Sequence, residues 1–412
     1  MAELPWLREM LNPDGASRRL SGRTARPAAV DPRLQRPRLF INGRFVVQQA
    51  TGVQRVAGEI TRQIDAMAGR GEVTADVVLM VPPGPWVQEL ALRHIPVEVV
   101  GRRTGVLWEQ MDLPIRARNG TLLCLGNSAP ALSLLRRDVA VAVMIHDVSF
   151  LDHPGAYTLR YRLAHRWMLP LVMQRARRIF TVSQTECERL TALSPAAGAR
   201  LAVAPNGGWS GECVLTAEAV GAGGAEAAPD ALPTEPFGLY VGSLSHRKNF
   251  GRTLAAAIRL AREDGLHFVF VGASGHVLRQ PDRPVPPDVA DRIHFLGQIN
   301  DAQRLSRIYR KARVMLFPSL YEACPLPPVE AAHFGCPVVV SNIAPMWERC
   351  GTSAVYCDPL SIDSLVRAVR SVLDDSPHRT AMIAAGRAMA ASHRWDEQAA
   401  LLYASLPVPT AG

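Results

Sequence analysis

Short apolar runs alternate with helical patterns along most of the chain. In the first half the candidate strands are RLFI (38–41), ADVVLMV (75–81), TLLCLG (121–126), VAVAVMI (139–145), RIFTVS (178–183) and LAVAP (201–205). Helical patterns fall between them, for example at 53–68 and 157–177. The second half repeats the scheme with FGLYVG (237–242), HFVFVG (267–272), RIHFLG (292–297), RVMLFP (313–318), PVVVS (337–341) and SAVYC (353–357), and with helices at 251–263 and 301–311. A strand that is apolar at every position is buried on both faces, as in a parallel sheet covered by helices. Two such blocks predict an α/β chain of two doubly wound, Rossmann-like domains. Ligands of such sheets bind outside the carboxyl ends of the strands, so the cleft between the domains is the expected site.

The pattern breaks in two places. Residues 1–37 are rich in Arg, Pro, Ala and Ser without periodicity, which predicts a flexible extension. Residues 208–236 contain VGAGGAEAAPDALPTEP, which predicts a Gly/Ala/Pro-rich linker. The two domains are therefore expected at 38–207 and 237–390, with a closing segment at 391–412.

Composition narrows the class. Apolar residues make up 48% and charged residues 20%, and no apolar run is long enough to span a bilayer. The N-terminal MAELPWLREML is interrupted by charge and lacks the apolar core of a signal peptide. A cytosolic protein is expected. The seven cysteines are odd in number and form no closely spaced metal-binding pair, which argues against a zinc ribbon or a disulfide framework. The net charge of +9 suits phosphorylated ligands, anionic lipid or nucleic acid, and does not choose among them.

Four segments carry candidate chemistry. In PSLYEACPLPPVEAAHFGCPVVVSN (318–342), Glu322 and Glu330 bracket a Pro-rich loop that leads from a buried strand into a helix. Carboxylates at a strand end can accept hydrogen bonds from vicinal hydroxyls such as those of ribose and sugars. Spacing alone leaves a helix-start acid and a solvated loop acid equally open. In YVGSLSHRKNF (240–250), a polar loop carries His246, Arg247 and Lys248 from a strand toward a helix, where cations and helix N–H groups can bind a diphosphate or simply face solvent. In IHDVSF (145–150), His146 follows an apolar strand, as a site residue or a core histidine. In QQATGVQRVAGEI (48–60), Thr51-Gly52 precedes an amphipathic helix whose N-terminus can meet phosphate.

In this order these segments resemble the retaining family 4 glycosyltransferases of the GT-B fold. The likeness runs from about residue 38 to 403. It also includes INGRF, RIFTVSQTECERL, VAPNGG, HFLGQINDAQRLSRIYRKARVMLFPSLYE and RWDEQA. It implies an N-terminal acceptor-side domain and a C-terminal domain that binds a nucleoside-diphosphate sugar as co-substrate, without a further cofactor. By this resemblance Lys248, Glu322, His146 and Arg247 are the catalytic set. Lys248 would neutralise the departing diphosphate, Glu322 would orient hydroxyls of the transferred sugar, and His146 would face that sugar. Glu330 would hold the ribose hydroxyls, and Gly52, Gly242, Ser243 and Leu326 complete the donor-binding set. Trp395 would begin a helix that crosses back to the first domain. Two departures stand out. Many relatives place Arg where this chain has Ser243, and Gly-rich residues where it has Ala323, Cys324 and Pro325, the last without an N–H to offer.

The implied reaction is transfer of a hexose, mannose being one candidate, to a saccharide or lipid-linked oligosaccharide, with retention at the anomeric carbon. The chain contains no Asp-any-Asp motif for a divalent ion, so no metal is expected and Lys248 with Arg247 would stabilise the leaving group. A degenerate GT-B scaffold is the alternative, favoured by Ser243 and Pro325. Nucleic-acid binding through the Arg-rich N-terminus lacks any recognisable module. Residues 157–178, YTLRYRLAHRWMLPLVMQRARR, mix basic and aromatic residues. They suit peripheral contact with anionic lipid on the inner face of the plasma membrane. The competing expectation is an internal helix, interrupted at Pro170, with Leu163, Leu169 and Val172 in the core.

Overall fold

A computed structural model describes residues 36–49, 51–210, 232–272 and 285–407. Most of the expected N-terminal extension and of the linker lies outside the described residues.

The chain builds two parallel sheets. The first has seven strands: β1 (Arg38–Asn42), β2 (Asp76–Val81), β3 (Val97–Val99), β4 (Gly120–Cys124), β5 (Val139–Ile145), β6 (Arg178–Thr181) and β7 (Leu201–Val203). Their spatial order is β3-β2-β1-β4-β5-β6-β7. The second has six: β8 (Phe237–Val241), β9 (His267–Val271), β10 (Ile293–Phe295), β11 (Ala312–Phe317), β12 (Val338–Ser341) and β13 (Val355–Cys357). Their order, β10-β9-β8-β11-β12-β13, repeats the first six positions of the other sheet. Each sheet therefore reverses direction once, between β1 and β4 and between β8 and β11. At such switch points the loops part and leave a crevice.

Helices cover both faces. Those used below are α1 (Gly52–Gly69), α2 (Ala131–Leu135), α3 (Leu159–Arg175), α4 (Gln184–Leu193), α5 (Phe250–Asp264), α6 (Ala302–Lys311), α7 (Pro327–His333), α8 (Ala344–Cys350) and α9 (Trp395–Ala404). Alternate residues of β1 enter different cores. Leu39 and Ile41 pack with Val56, Ile60 and Ile64 of α1, whereas Phe40 packs with Trp108 on the other face. α3 runs straight through Pro170, so the expected interruption is corrected. Pro170 is exposed, and the only backbone bond its ring removes is the one to the carbonyl of exposed Arg166.

α9 ties the C-terminus to the first sheet. Trp395 Nε1 donates to the Gly208 carbonyl at 2.8 Å, and Gln398 Nε2 donates to the Ala204 carbonyl at 2.7 Å. Tyr403 Oη accepts from the N–H groups of Thr74 and Ala75 at 2.9 and 3.1 Å. Gly207 has no side chain because a Cβ there would enter the Trp395 ring. Arg349 of α8 fastens the same crossing. It is buried and donates to the carbonyls of Asn206 and Gly207, both at 2.5 Å.

Candidate functional site

The switch point of the second sheet holds most of the predicted residues. β8 ends at Val241, and the following loop turns back over the sheet. It is anchored by Asn249, whose φ of 57° lies in the left-handed region that Asn tolerates. Asn249 Nδ2 donates to the carbonyls of Pro318 (2.9 Å) and Pro359 (2.6 Å). The Leu320 N–H bonds the Arg247 carbonyl at 2.9 Å. These bonds press the 243–249 loop against the loop after β11, so the two loops that flank the switch point meet.

Lys248 Nζ lies 2.6 Å from Glu322 Oε1, and an Arg247 nitrogen lies 4.0 Å from Glu322 Oε2. Arg247 also donates to the Tyr321 carbonyl at 3.2 Å. Burial pushes the Lys248 ammonium below its ordinary value; Glu322 opposes that shift and Arg247 reinforces it. Gly242 and Ser243 lie at the start of the loop. The Ser243 carbonyl accepts from Tyr240 Oη at 2.8 Å, and its hydroxyl is 3.1 Å from that of Ser245. Gly272 at the end of β9 approaches the Gly242 carbonyl so closely that no Cβ fits there.

Glu330 sits apart from this group. Leu326 caps α7 and accepts the Glu330 N–H at 3.0 Å, which sets the carboxylate on the first turn. Its Oε2 accepts from Tyr309 Oη of α6 at 2.9 Å. Its Oε1 is 2.5 Å from Arg55 of α1, across the cleft, with side-chain exposures of 15% for Arg55 and 2% for Glu330. Gly52 opens α1, and a Cβ placed on it would meet no atom within 4 Å. The first turn of α1 thus faces open space at Gly52 and Glu330 at Arg55.

His146 has hydrogen-bond partners of its own, while the charge of the next residue, Asp147, is felt at both Arg247 and Lys248. His146 follows β5 and is buried, with its N–H on Asn127 Oδ1 at 2.6 Å and its Nε2 2.8 Å from the Leu125 carbonyl. A carbonyl only accepts, so Nε2 carries the proton. Burial pushes the ring below its ordinary value, with the Leu125 bond and Asp147 opposing. Neither hydrogen bond reaches Lys248 or Glu322.

Sequence reasoning did not single out Arg55, Tyr309, Glu186 or Glu109. Arg55 stands in the quoted TGVQR segment, three residues after Gly52, so the signal for it was present. Glu186 of α4 is buried and accepts from Tyr321 Oη at 2.6 Å, joining the first sheet's side to the second. Burial pushes its carboxyl up to about 7; the Tyr321 bond opposes this and the charge of Asp147 adds to it. Glu348 of α8 makes a second such tie, accepting from Thr185 N and Oγ1 at 3.0 Å each. Glu109 is buried at the first sheet's switch point. It accepts from Asn42 Nδ2 at 2.7 Å, Arg44 at 2.7 Å and Ser128 Oγ at 3.0 Å. A cavity of about 230 Å³ opens beside α9 instead, lined by Asn206, Cys324, Arg349 and His393 among others. Lys248, Glu322 and Glu330 are not among the residues that line it.

A family model described as "Glycosyl transferases group 1" matches residues 226–389. That span holds both loops of the second switch point.

Over this segment, less than half of the chain, the protein is similar to the group 1 glycosyl transferases.

O-antigen chain mannosyltransferase B of Escherichia coli is 30% identical over 171 residues, covering 40% of this chain and 44% of that protein. The match therefore spans less than half of this curated relative's length. Sucrose-phosphate synthase from Thermosynechococcus elongatus superimposes with a TM-score of 0.65 at 18% identity, over 89% of this chain and 97% of that one. HepE of Anabaena, solved in complex with UDP-glucose, superimposes at 0.61 and 15% identity over 90% of this chain and 100% of that one. Both likenesses extend across the two sheets. The fold is GT-B, as the sequence predicts, and the group 1 segment is its second half.

Proposed function

We propose that this chain transfers a hexosyl group, mannose or glucose, from a nucleoside-diphosphate sugar to a saccharide or lipid-linked oligosaccharide acceptor. The observation that carries this reading is the largely buried Lys248–Glu322 pair, 2.6 Å apart, between the two loops of the second switch point. Breaking the bond between the sugar and the diphosphate builds negative charge on the leaving phosphate. A desolvated ammonium meets that charge more strongly than one in water, and Arg247 stands beside it. Glu322 accepts hydroxyls of the sugar in its turn, and Glu330 accepts those of ribose.

In this reading the chain's own cations serve where other enzymes use a divalent ion. Configuration is retained, because the departing phosphate takes the acceptor's proton on the face it leaves. Glu322 is held by two cations and does not act as a nucleophile. The mannosyltransferase relative supports mannose, and the UDP-glucose complex of HepE supports glucose.

The acceptor side favours a lipid-linked substrate. Leu159, Leu163 and Trp167 repeat every four residues along α3 and are 64%, 59% and 62% exposed. Leu132 and Leu135 of neighbouring α2 are also exposed, and Arg160, Arg162 and Arg166 flank the row. Leu163 thus faces solvent, while Val172 is core and Leu169 is partly buried. Among the described residues no helix is long and apolar enough to cross a membrane. The α3 face instead suits the surface of an anionic bilayer.

The test is a panel of GDP-mannose, GDP-glucose, UDP-glucose and UDP-galactose, run with EDTA. Thermal stabilisation by one donor, with sugar release or transfer and retained anomeric configuration, is the expected result. A strict requirement for manganese or magnesium in the chemical step refutes the metal-free mechanism. Donor binding with neither transfer nor hydrolysis, whatever the metal and acceptor, leaves the scaffold reading in its place.

A further inference from the structure

The carboxylate proposed to hold the donor ribose is already occupied. Glu330 has two oxygens, one on Tyr309 and one on Arg55, and the Arg55 pair spans the cleft from α1 to α7. Both partners are largely desolvated, so neither can be left alone cheaply. Ribose hydroxyls that reach Glu330 compete with Arg55 for its oxygens, and a guanidinium drawn away from Glu330 is best matched by another anion.

A nucleoside diphosphate brings that anion attached to the same ribose. Arg55 lies on the first turn of α1, one turn from the open backbone at Gly52, and its planar fork matches a phosphate in two hydrogen bonds.

We propose that Arg55 is a donor-site residue that exchanges partners: it holds Glu330 in the empty cleft and passes to the donor diphosphate when ribose takes its place. The exchange gives the Arg55 guanidinium an anion both before and after the donor enters. It also sets a specificity. A nucleoside without phosphates must break the Arg55–Glu330 pair and offers nothing in return, whereas a nucleoside diphosphate restores it in another form. The proposal rests on the donor-site reading of Glu330.

The experiment measures binding of uridine, UDP, guanosine and GDP by titration calorimetry to the full chain and to Arg55→Met. The diphosphate-to-nucleoside affinity ratio, taken for the base that binds, is the readout. In the wild type this ratio is expected to be large. In Arg55→Met the nucleoside should bind several-fold tighter and the diphosphate at least tenfold weaker, so the ratio collapses. An unchanged ratio in a folded Arg55→Met protein overturns the proposal. If Arg55→Met does not fold, Arg55→Lys is the second variant, since it keeps the charge and loses the fork. A ratio at least threefold below wild type then supports the exchange, and an unchanged ratio overturns it. Wild-type protein that binds none of the four compounds overturns the donor reading itself, a result distinct from a wild-type diphosphate preference that survives in the variants.

Discussion

The two switch points share one strand order and differ in how their carboxylates are held. In the first sheet Glu109 receives Asn42, Arg44 and Ser128, all from segments adjoining that sheet. In the second sheet Glu322 is held by Lys248 and Arg247, and Glu330 by Tyr309 and by Arg55 from across the cleft. A carboxylate tied down by three donors of its own fold is part of the scaffold. A carboxylate met by a long cation, or by a cation of the opposite side, can change partners when a ligand enters. The same topology thus yields a crevice closed by its own sheet on one side and, on the proposed reading, an exchangeable one on the other.

Removing Glu109 should break the fixed side. Glu109→Ala strands Arg44 and two amide or hydroxyl donors, and the loss should be about 3–5 kcal/mol of stability. Denaturant unfolding checks it, and the nucleotide affinity of the folded fraction should not change. A large fall in affinity instead would assign Glu109 to the donor site.

Lys248→Ala should strike the exchangeable side. The charge that Lys248 meets grows as the bond breaks, so turnover should fall by about 2.7–4 kcal/mol of barrier, with donor KM changed far less. Glu330→Ala should do the reverse: nucleoside diphosphate affinity falls by roughly 1.5–3 kcal/mol, while turnover at saturating donor changes little. Steady-state kinetics on both variants separate the roles, and equal kinetics for wild type and variants would remove the two residues from the site.

Glu186 sharpens the comparison where the two sides touch. Burial pushes its carboxyl up to about 7 from an ordinary 4.5. A raised acid favours the folded state fully below the ordinary value. That contribution is lost as pH climbs toward the folded value, because the unfolded chain ionises first. Glu186→Gln should therefore match wild type near pH 4.5 and be more stable above pH 7, by on the order of 2 kcal/mol. Urea midpoints at the two ends of that window measure it. A constant difference across the window would mean that Glu186 does not carry the pH dependence.

The smallest effect on the fold belongs to the outer face of α3. Replacing Arg160, Arg162 and Arg166 by Gln should leave the melting temperature nearly unchanged, since exposed substitutions cost within about 0.5 kcal/mol. The same variant should lose co-sedimentation with phosphatidylserine vesicles, by about 1 kcal/mol per arginine, and salt should release the wild type. Vesicle binding that survives the triple substitution would move the contact away from this helix.

The strands were legible because each central one is apolar at nearly every position, a pattern that only a doubly covered sheet explains. β3 was missed because Val97–Val99 is three residues long and carries Glu98 at a sheet edge. The short helix α8 carries Pro345 in its first turn and offers too few turns for periodicity to register, whereas α7 was legible as the helix into which the Pro-rich loop leads. Among the site residues, Lys248 and Glu322 were legible as loop residues after strands, and the structure joins them. His146 was legible as a strand-end histidine, yet its hydrogen bonds go to Asn127 and Leu125.

What the sequence by itself determined is local: which runs are strands, where each ends, and which charged side chains sit just beyond those ends. Hydrophobic periodicity carries that information because it depends on neighbours a few positions apart. Tertiary structure alone decided that Arg55 meets Glu330, that Glu186 meets Tyr321, and that Leu159, Leu163 and Trp167 stay in solvent. Those outcomes depend on how the two sheets are clamped by Arg349 and α9, and no pattern within either segment records where the other will lie.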